Sequence, residues 1–273
     1  MTDVILAVLG RPEAAHAVLD AAHCLAGLAG GASIIVLAIH APLSVGPLAA
    51  EALIAEAGDI DGARTCEQRR IASLKSTFDA RADRARHAGS TVQWVEAEGE
   101  ASVVVEERGR RADTIVIARP LPDDDAATAH AFGAALFHTE RPVLVVPQGV
   151  SAAFGRRVAI AWRDDARTAK AIMPALRLLG SAEQVFLLAG VRPGATPPGM
   201  PAVLADHGIE ASLRIVPIGT GGFRKLLLET LHELGADMLV MGAYAHTPLR
   251  ELIFGGVTRY MCEHADVPVL MRH

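Results

Sequence analysis

Ten short runs of aliphatic and β-branched residues recur in the same order in the two halves of the chain. In the first half they are Val4–Leu9, Ser33–Ile39, Thr91–Glu96, Thr114–Ala118 and Pro142–Val146. In the second they are Val158–Trp162, Gln184–Gly190, Ser212–Pro217, Met238–Met241 and Pro268–Met271. Short apolar runs separated by helical patterns are the mark of a parallel sheet covered by helices on both faces. Two local matches tie the halves together: Asp113-Thr-Ile-Val-Ile-Ala with Asp237-Met-Leu-Val-Met-Gly, and Arg141-Pro-Val-Leu with Val267-Pro-Val-Leu. Five runs in matching order with two sequence matches read as a duplication.

The halves differ in length chiefly between their second and third runs. There the first half carries a charged helical segment, about Leu48 to His87, and the second a loop rich in Gly and Pro, Arg192 to Pro201. The connection Gln148–Arg156 is too short to let the halves swing freely. The expected domains are residues 1–150 and 155–273. Each has five strands and connecting helices. Ala169, Ile172, Met173, Leu176 and Leu179 follow helical spacing, as do Leu226, Leu227, Thr230, Leu231 and Leu234, with Gly235 as the stop. Both stripes read as core.

Composition narrows the function. Charged residues are 21% and hydrophobic residues 51% of the 273, which supplies a packed core and no disorder signature. Aromatics at 4% are too few for a stacking platform for single-stranded nucleic acid. The net charge of −5 argues against nucleic acid or an anionic membrane as partner. The charge is unevenly shared: residues 1–150 hold 13 basic and 20 acidic side chains, residues 151–273 hold 13 and 11. An anion site is therefore expected in the second half. Ala21–Ala50 lacks Asp, Glu, Lys and Arg, but Gly30-Gly31, Pro42 and Pro47 break it, so it reads as helix end, turn and buried strand rather than a membrane span. No basic segment precedes an apolar stretch at the N-terminus, so no secretory signal is expected. Cys24, Cys66 and Cys262 form neither a disulfide framework nor a metal spacing, and read as reduced cytoplasmic thiols.

The most informative loop follows the fourth strand of the second half. It runs from Gly242 through Tyr244, Ala245 and His246 to Gly255-Gly256, ahead of a helix expected over Val257–His264. Small residues admit a ligand close to the backbone, and N–H groups at a helix start hold phosphate. The spacing Gly242, Ala245, Gly255, Gly256 resembles the nucleotide loop of the universal stress protein family, G-x2-G-x9-G-[ST], here as G-x2-A-x9-G-G. The resemblance spans the chain as two tandem domains and is stronger in the second.

The resemblance implies an α/β fold of two five-stranded parallel sheets of order 3-2-1-4-5, with helices on both faces. It also implies domain pairing through the last strands, which a tandem chain can satisfy internally as a pseudo-dimer. An apolar strand at the chain end invites edge pairing on its own account. Some members bind ATP and others do not. The implied nucleotide-binding residues are Trp162, Arg163, Gly190, Val191, Gly242, Ala245, His246, Gly255, Gly256, Val257 and Thr258.

Departures from the family pattern are specific. Ala245 replaces a glycine. Gly256 replaces the hydroxyl residue, with Thr258 two residues on as its substitute. Arg163 stands where the family commonly has an aspartate facing the nucleoside; it cannot accept a hydrogen bond but can hold phosphate. Asp164 or Asp165 reads as a helix cap. In the first half Leu9 is read at the aspartate's position, and Arg119-Pro-Leu-Pro-Asp123-Asp124-Asp125 replaces the loop. Its prolines lack donors and its aspartates repel phosphate, so that half is not expected to take a nucleotide. The aspartate run reads as a solvated loop rather than a metal site.

His246 reads as a loop contact, and Tyr244 as stacking on a base or covering the pocket mouth. Cys262 and His264 do not share a helix face, which disfavours a nucleophile pair. Gly219-Thr220-Gly221-Gly222 reads as a capped turn or an anion contact. No catalytic residue and no metal ligand is assigned. The leading expectation is a cytoplasmic, non-enzymatic stress-response protein that binds ATP or another adenine nucleotide, or a small anion, in its second half. Its partner is an unidentified protein, with homodimerisation open and neither nucleic acid nor membrane expected. The alternative is a structural or interaction protein with both sites degenerate. A slow nucleotide hydrolase or transferase is the third reading, without a placed acid–base pair.

Overall fold

The computed structural model describes residues 2–40, 60–87, 90–150, 152–218, 222–243 and 256–273. It divides into two compact units, Met1–Thr139 and Glu140–His273. No described helix is long and apolar enough to cross a membrane.

The first unit contains β1 (Asp3–Leu9), α1 (Pro12–Leu28), β2 (Ala32–His40), α2 (Ile60–His87), β3 (Thr91–Glu98), α3 (Ala101–Gly109), β4 (Thr114–Ala118) and α4 (Ala126–Phe137). The strand order is β3-β2-β1-β4, all parallel. Its centre is aliphatic: Leu6, Ile34, Leu37 and Ile115 are fully buried, as are Leu19 of α1 and Leu74 of α2. Gly31, at φ 109°, lets the chain turn from α1 into β2. The uncharged run at Ala21 thus ends one helix and enters a buried strand.

The second unit contains β5 (Val143–Val146), β6 (Arg157–Trp162), α5 (Ala166–Ser181), β7 (Gln184–Val191), α6 (Ala202–Asp206), β8 (Ser212–Pro217), α7 (Phe223–Glu233), β9 (Met238–Gly242), α8 (Gly256–His264) and β10 (Val269–Arg272). The order is β5-β10-β9-β6-β7-β8. Counted from β6, five of these strands follow the order 3-2-1-4-5. The sixth, β5, runs antiparallel to β10, with Val145 opposite Val269. The expected pairing of the two terminal strands is thus seen inside this unit, and its sheet is mixed rather than purely parallel. All four residues of β5 are buried, so an apolar strand of this kind gains by covering the edge of β10.

One expected core residue is misplaced. Met173 of α5 is 52% exposed, while Ala171, Ile172, Ala175, Leu178 and Leu179 are buried. The buried face therefore lies to one side of the expected stripe. Gly235 does end α7, at φ 58°. Its N–H donates to His232 O at 2.9 Å and that of Ala236 to Leu231 O at 3.0 Å, a Schellman closure.

The matched aspartates have a structural cause. The Asp113 carboxylate accepts from Val4 N at 2.8 Å. The Asp237 carboxylate accepts from Gly155, Arg156 and Arg157 N–H at 2.9, 3.1 and 3.1 Å. The first carboxylate fastens the start of β1 to β4, and the second the start of β6 to β9. The backbone repeats the match: Asp113 N donates to Val4 O and Asp237 N to Arg157 O. Val4 is thereby the counterpart of Arg157, and Gly10, not Leu9, the counterpart of Arg163.

Where α1 meets α2, half-buried His23 sits with an ion pair between Arg81 Nε and Asp20 Oδ1 at 3.1 Å. Its Nε2 has no hydrogen-bond partner among the described residues. Burial lowers its pKa below the ordinary 6.5, Asp20 opposes the shift and Arg81 adds to it. The folded protein therefore binds this proton less readily than the unfolded chain. Stability from this site is full above the ordinary value and declines as pH falls from there toward the depressed folded value. Melting temperature measured across that interval should fall more steeply in the parent than in His23→Gln.

Candidate functional site

In the second unit the strand order reverses between β6 and β9, and such a reversal opens a crevice at the carboxyl ends of the strands. The register supports it. The β6–β9 ladder stops at Ile160 opposite Val240, whereas β6 stays paired with β7 through Trp162 opposite Ala189. The residues that end these strands, Trp162, Gly190-Val191 and Gly242, therefore border the opening.

Their side chains do different work. Trp162 is buried, and its indole N–H donates to Gly199 O at 2.8 Å, tying the loop after β7 to the end of β6. This ring is a structural tie rather than an open wall. Arg163 projects outward, its side chain 71% exposed, with Nε 3.5 Å from Asp165. Asp165 caps α5: its Oδ1 accepts from Thr168 N at 2.9 Å and Thr168 Oγ1 at 3.1 Å. Of the two aspartates read as a cap, Asp165 performs it.

Gly190 is required by packing. A Cβ there would lie 2.7 Å from Phe223 Cε2 and 3.0 Å from Ile218 Cδ1. The Phe223 ring, at the start of α7, covers the end of β7 on that side. Val191 is half-buried and closes β7.

The helix expected over Val257–His264 begins one residue earlier, at Gly256. Gly256 is exposed, Val257 is half-buried and Thr258 is buried. The substitute hydroxyl thus faces inward. Ala245, His246 and Gly255 lie outside the described residues, as do Tyr244 and Gly219-Thr220-Gly221.

Sequence reasoning missed Arg224. Its Nη1 lies 3.7 Å from where a Gly256 Cβ would be, and its guanidinium stacks over the Tyr260 ring at 5.4 Å. A cation is thereby held beside the first turn of α8. Only the tertiary packing of α7 on α8 brings these residues together; no spacing in the sequence links them. Farther along α8, His264 stacks on Tyr260, and Cys262 Sγ meets Met271 Sδ at 3.9 Å, so Cys262 and His264 serve separate contacts. Among the described residues no three His, Cys, Asp or Glu side chains gather as a metal site.

The universal stress protein family model matches residues 208–273, the stretch from the approach to β8 through β10. This last portion of the chain is similar to the universal stress protein family. The match contains Arg224, Gly242 and the whole of α8. No curated protein matches the chain. Among solved structures, a universal stress protein from Archaeoglobus fulgidus DSM 4304 is similar over 100% of this chain and 98% of its own, at 16% identity and a TM-score of 0.70. A putative universal stress protein from Pseudomonas aeruginosa UCBPP-PA14 is similar over 99% of this chain and 93% of its own, at 16% identity and a TM-score of 0.57. At these identities the likeness is one of fold. The universal stress protein fold therefore extends well beyond the matched residues.

Proposed function

We propose that the protein is a tandem universal stress protein, with domains at 1–150 and 155–273, that binds an adenine nucleotide in its second unit and catalyses no reaction. The observation that carries this reading is Arg224 beside the N-terminus of α8. The first N–H groups of a helix carry partial positive charge, and a guanidinium next to them adds to it. A phosphate placed there gains from both. In this reading Gly256 and Val257 offer backbone N–H groups to the phosphates and Arg224 neutralises them. Gly242 gives the ligand access, and Arg163 with Val191 borders the nucleoside. Ala245, His246 and Gly255 fall in the same stretch of sequence, between Gly242 and Gly256. Occupancy would alter the surface around α8 that a protein partner, or a second copy of the chain, reads in the cytoplasm.

Calorimetric titration of the full chain with ATP, ADP and AMP tests this. Heat of binding at millimolar ligand or below is expected, with Arg224→Ala weakening ATP by roughly tenfold, the worth of one charge-assisted contact. Absence of heat with all three overturns the reading. Phosphate release from ATP should stay at the rate of buffer; a protein-dependent rate would make the protein a hydrolase. The second reading, an interaction protein with no ligand, draws on the closure of the β6 and β7 ends by Trp162 and Phe223.

A further inference from the structure

We propose that the first unit contains an oxyanion site whose ligand is its own Asp124, with Arg11 as the residue that holds it. The strand order in this unit reverses between β1 and β4, so the crevice for a ligand lies at their carboxyl ends. Arg11 lies two residues past the end of β1, and Asp124 lies in the loop after β4. The Arg11 guanidinium donates through Nη1 to Asp124 Oδ1 and through Nη2 to Arg119 O at 2.7 Å. The second carboxylate oxygen accepts from Leu121 N–H at 2.7 Å. The Asp124 side chain is only 3% exposed and that of Arg11 12%. A guanidinium and a backbone N–H converging on one buried carboxylate are what a site for phosphate or a small carboxylate supplies to a free anion.

The surrounding groups hold this arrangement closed. Asp125 Oδ1 caps α4 by accepting from Thr128 N at 2.7 Å, so the helix start beside the crevice already holds a carboxylate. From α2, Arg70 donates to Gly10 O at 2.7 Å and to Ile39 O at 2.6 Å, while the two Glu67 oxygens accept from its Nε and Nη2. Carbonyls at the ends of β1 and β2 are thus bound by a helix of 28 residues, where the second unit has only the five-residue α6. The expected repulsion of phosphate by the aspartate run gains a more specific cause: Asp124 occupies the position itself. This inference concerns the first unit and stands apart from the nucleotide reading of the second.

The test is rescue by a small anion in the full chain. Asp124→Ala should lower the melting temperature of the first unit, followed by hydrogen exchange of β1 and β4. Sodium formate should restore a large part of that loss, relative to sodium chloride at equal ionic strength. The parent and the Arg11→Ala/Asp124→Ala double variant should show no such formate-specific gain. If Asp124→Ala does not fold, Asp124→Ser, which keeps an acceptor for Leu121 N–H and leaves Arg11 without a carboxylate, is read in the same way. A formate-specific gain that requires Arg11 supports the proposal. Equal shifts in all proteins, or a gain that persists without Arg11, overturn it and leave an ordinary ion pair.

Discussion

Asp237→Ala should destabilise the second unit by about 2–3 kcal/mol, because one carboxylate there serves three backbone N–H groups. Asp113→Ala, which removes a single such bond to Val4, should cost only about 1 kcal/mol. Chemical denaturation of the two variants, with unit-resolved hydrogen exchange, separates these costs. The two aspartates look equivalent in sequence, yet the second also gathers the chain at Gly155 and Arg156 as it enters β6. Equal losses would mean that the contacts at Gly155 and Arg156 contribute nothing.

Gly190→Ala should cost about 1–3 kcal/mol, the usual penalty for overpacking. The added methyl would stand 2.7 Å from Phe223 Cε2, so the ring must leave and the start of α7 with it. Arg224 is the next residue, and its position against Gly256 depends on that helix start. Gly190→Ala should therefore weaken ATP together with stability, although residue 190 offers the ligand no charge. Phe223→Leu in the same chain should recover stability by making room. Failure of the double variant to recover would show that the clash is not with Phe223.

Much of this molecule is legible in its sequence because the central strands of its sheets are buried on both faces. Val158–Trp162 and Thr114–Ala118 have no polar face to confuse the reading, and the observed strands begin and end within two residues of the expected runs. Gly235 was legible because a left-handed helix end has few alternatives to glycine. The errors have physical sources. Met173 fits helical spacing, but spacing does not say which side of the stripe the sheet covers. The strand pattern does not separate Leu9 from Gly10, and the matching Asp113–Val4 and Asp237–Arg157 hydrogen bonds fix the register at Gly10. At the sites, charge counts pointed to the second half without revealing Arg224, Phe223 or the tie from Trp162 to Gly199. These depend on how α7, α8 and the loop after β7 fold back onto strand ends. The Arg11–Asp124 pair was hidden for the same reason, since its members are 113 residues apart.

The two units thus give one architecture two treatments of its crevice. In the first, a carboxylate of the chain sits on Arg11 and α2 binds the strand ends. In the second, Arg224 stands beside the start of α8, and a nucleotide is proposed to bind there. Hydrogen exchange of the full chain with and without saturating ATP tests this division most directly. The account predicts slowed exchange at the start of α8 and at the ends of β6 and β7, with the first unit unchanged. Unchanged exchange throughout, or protection centred on β1 and β4, would contradict it.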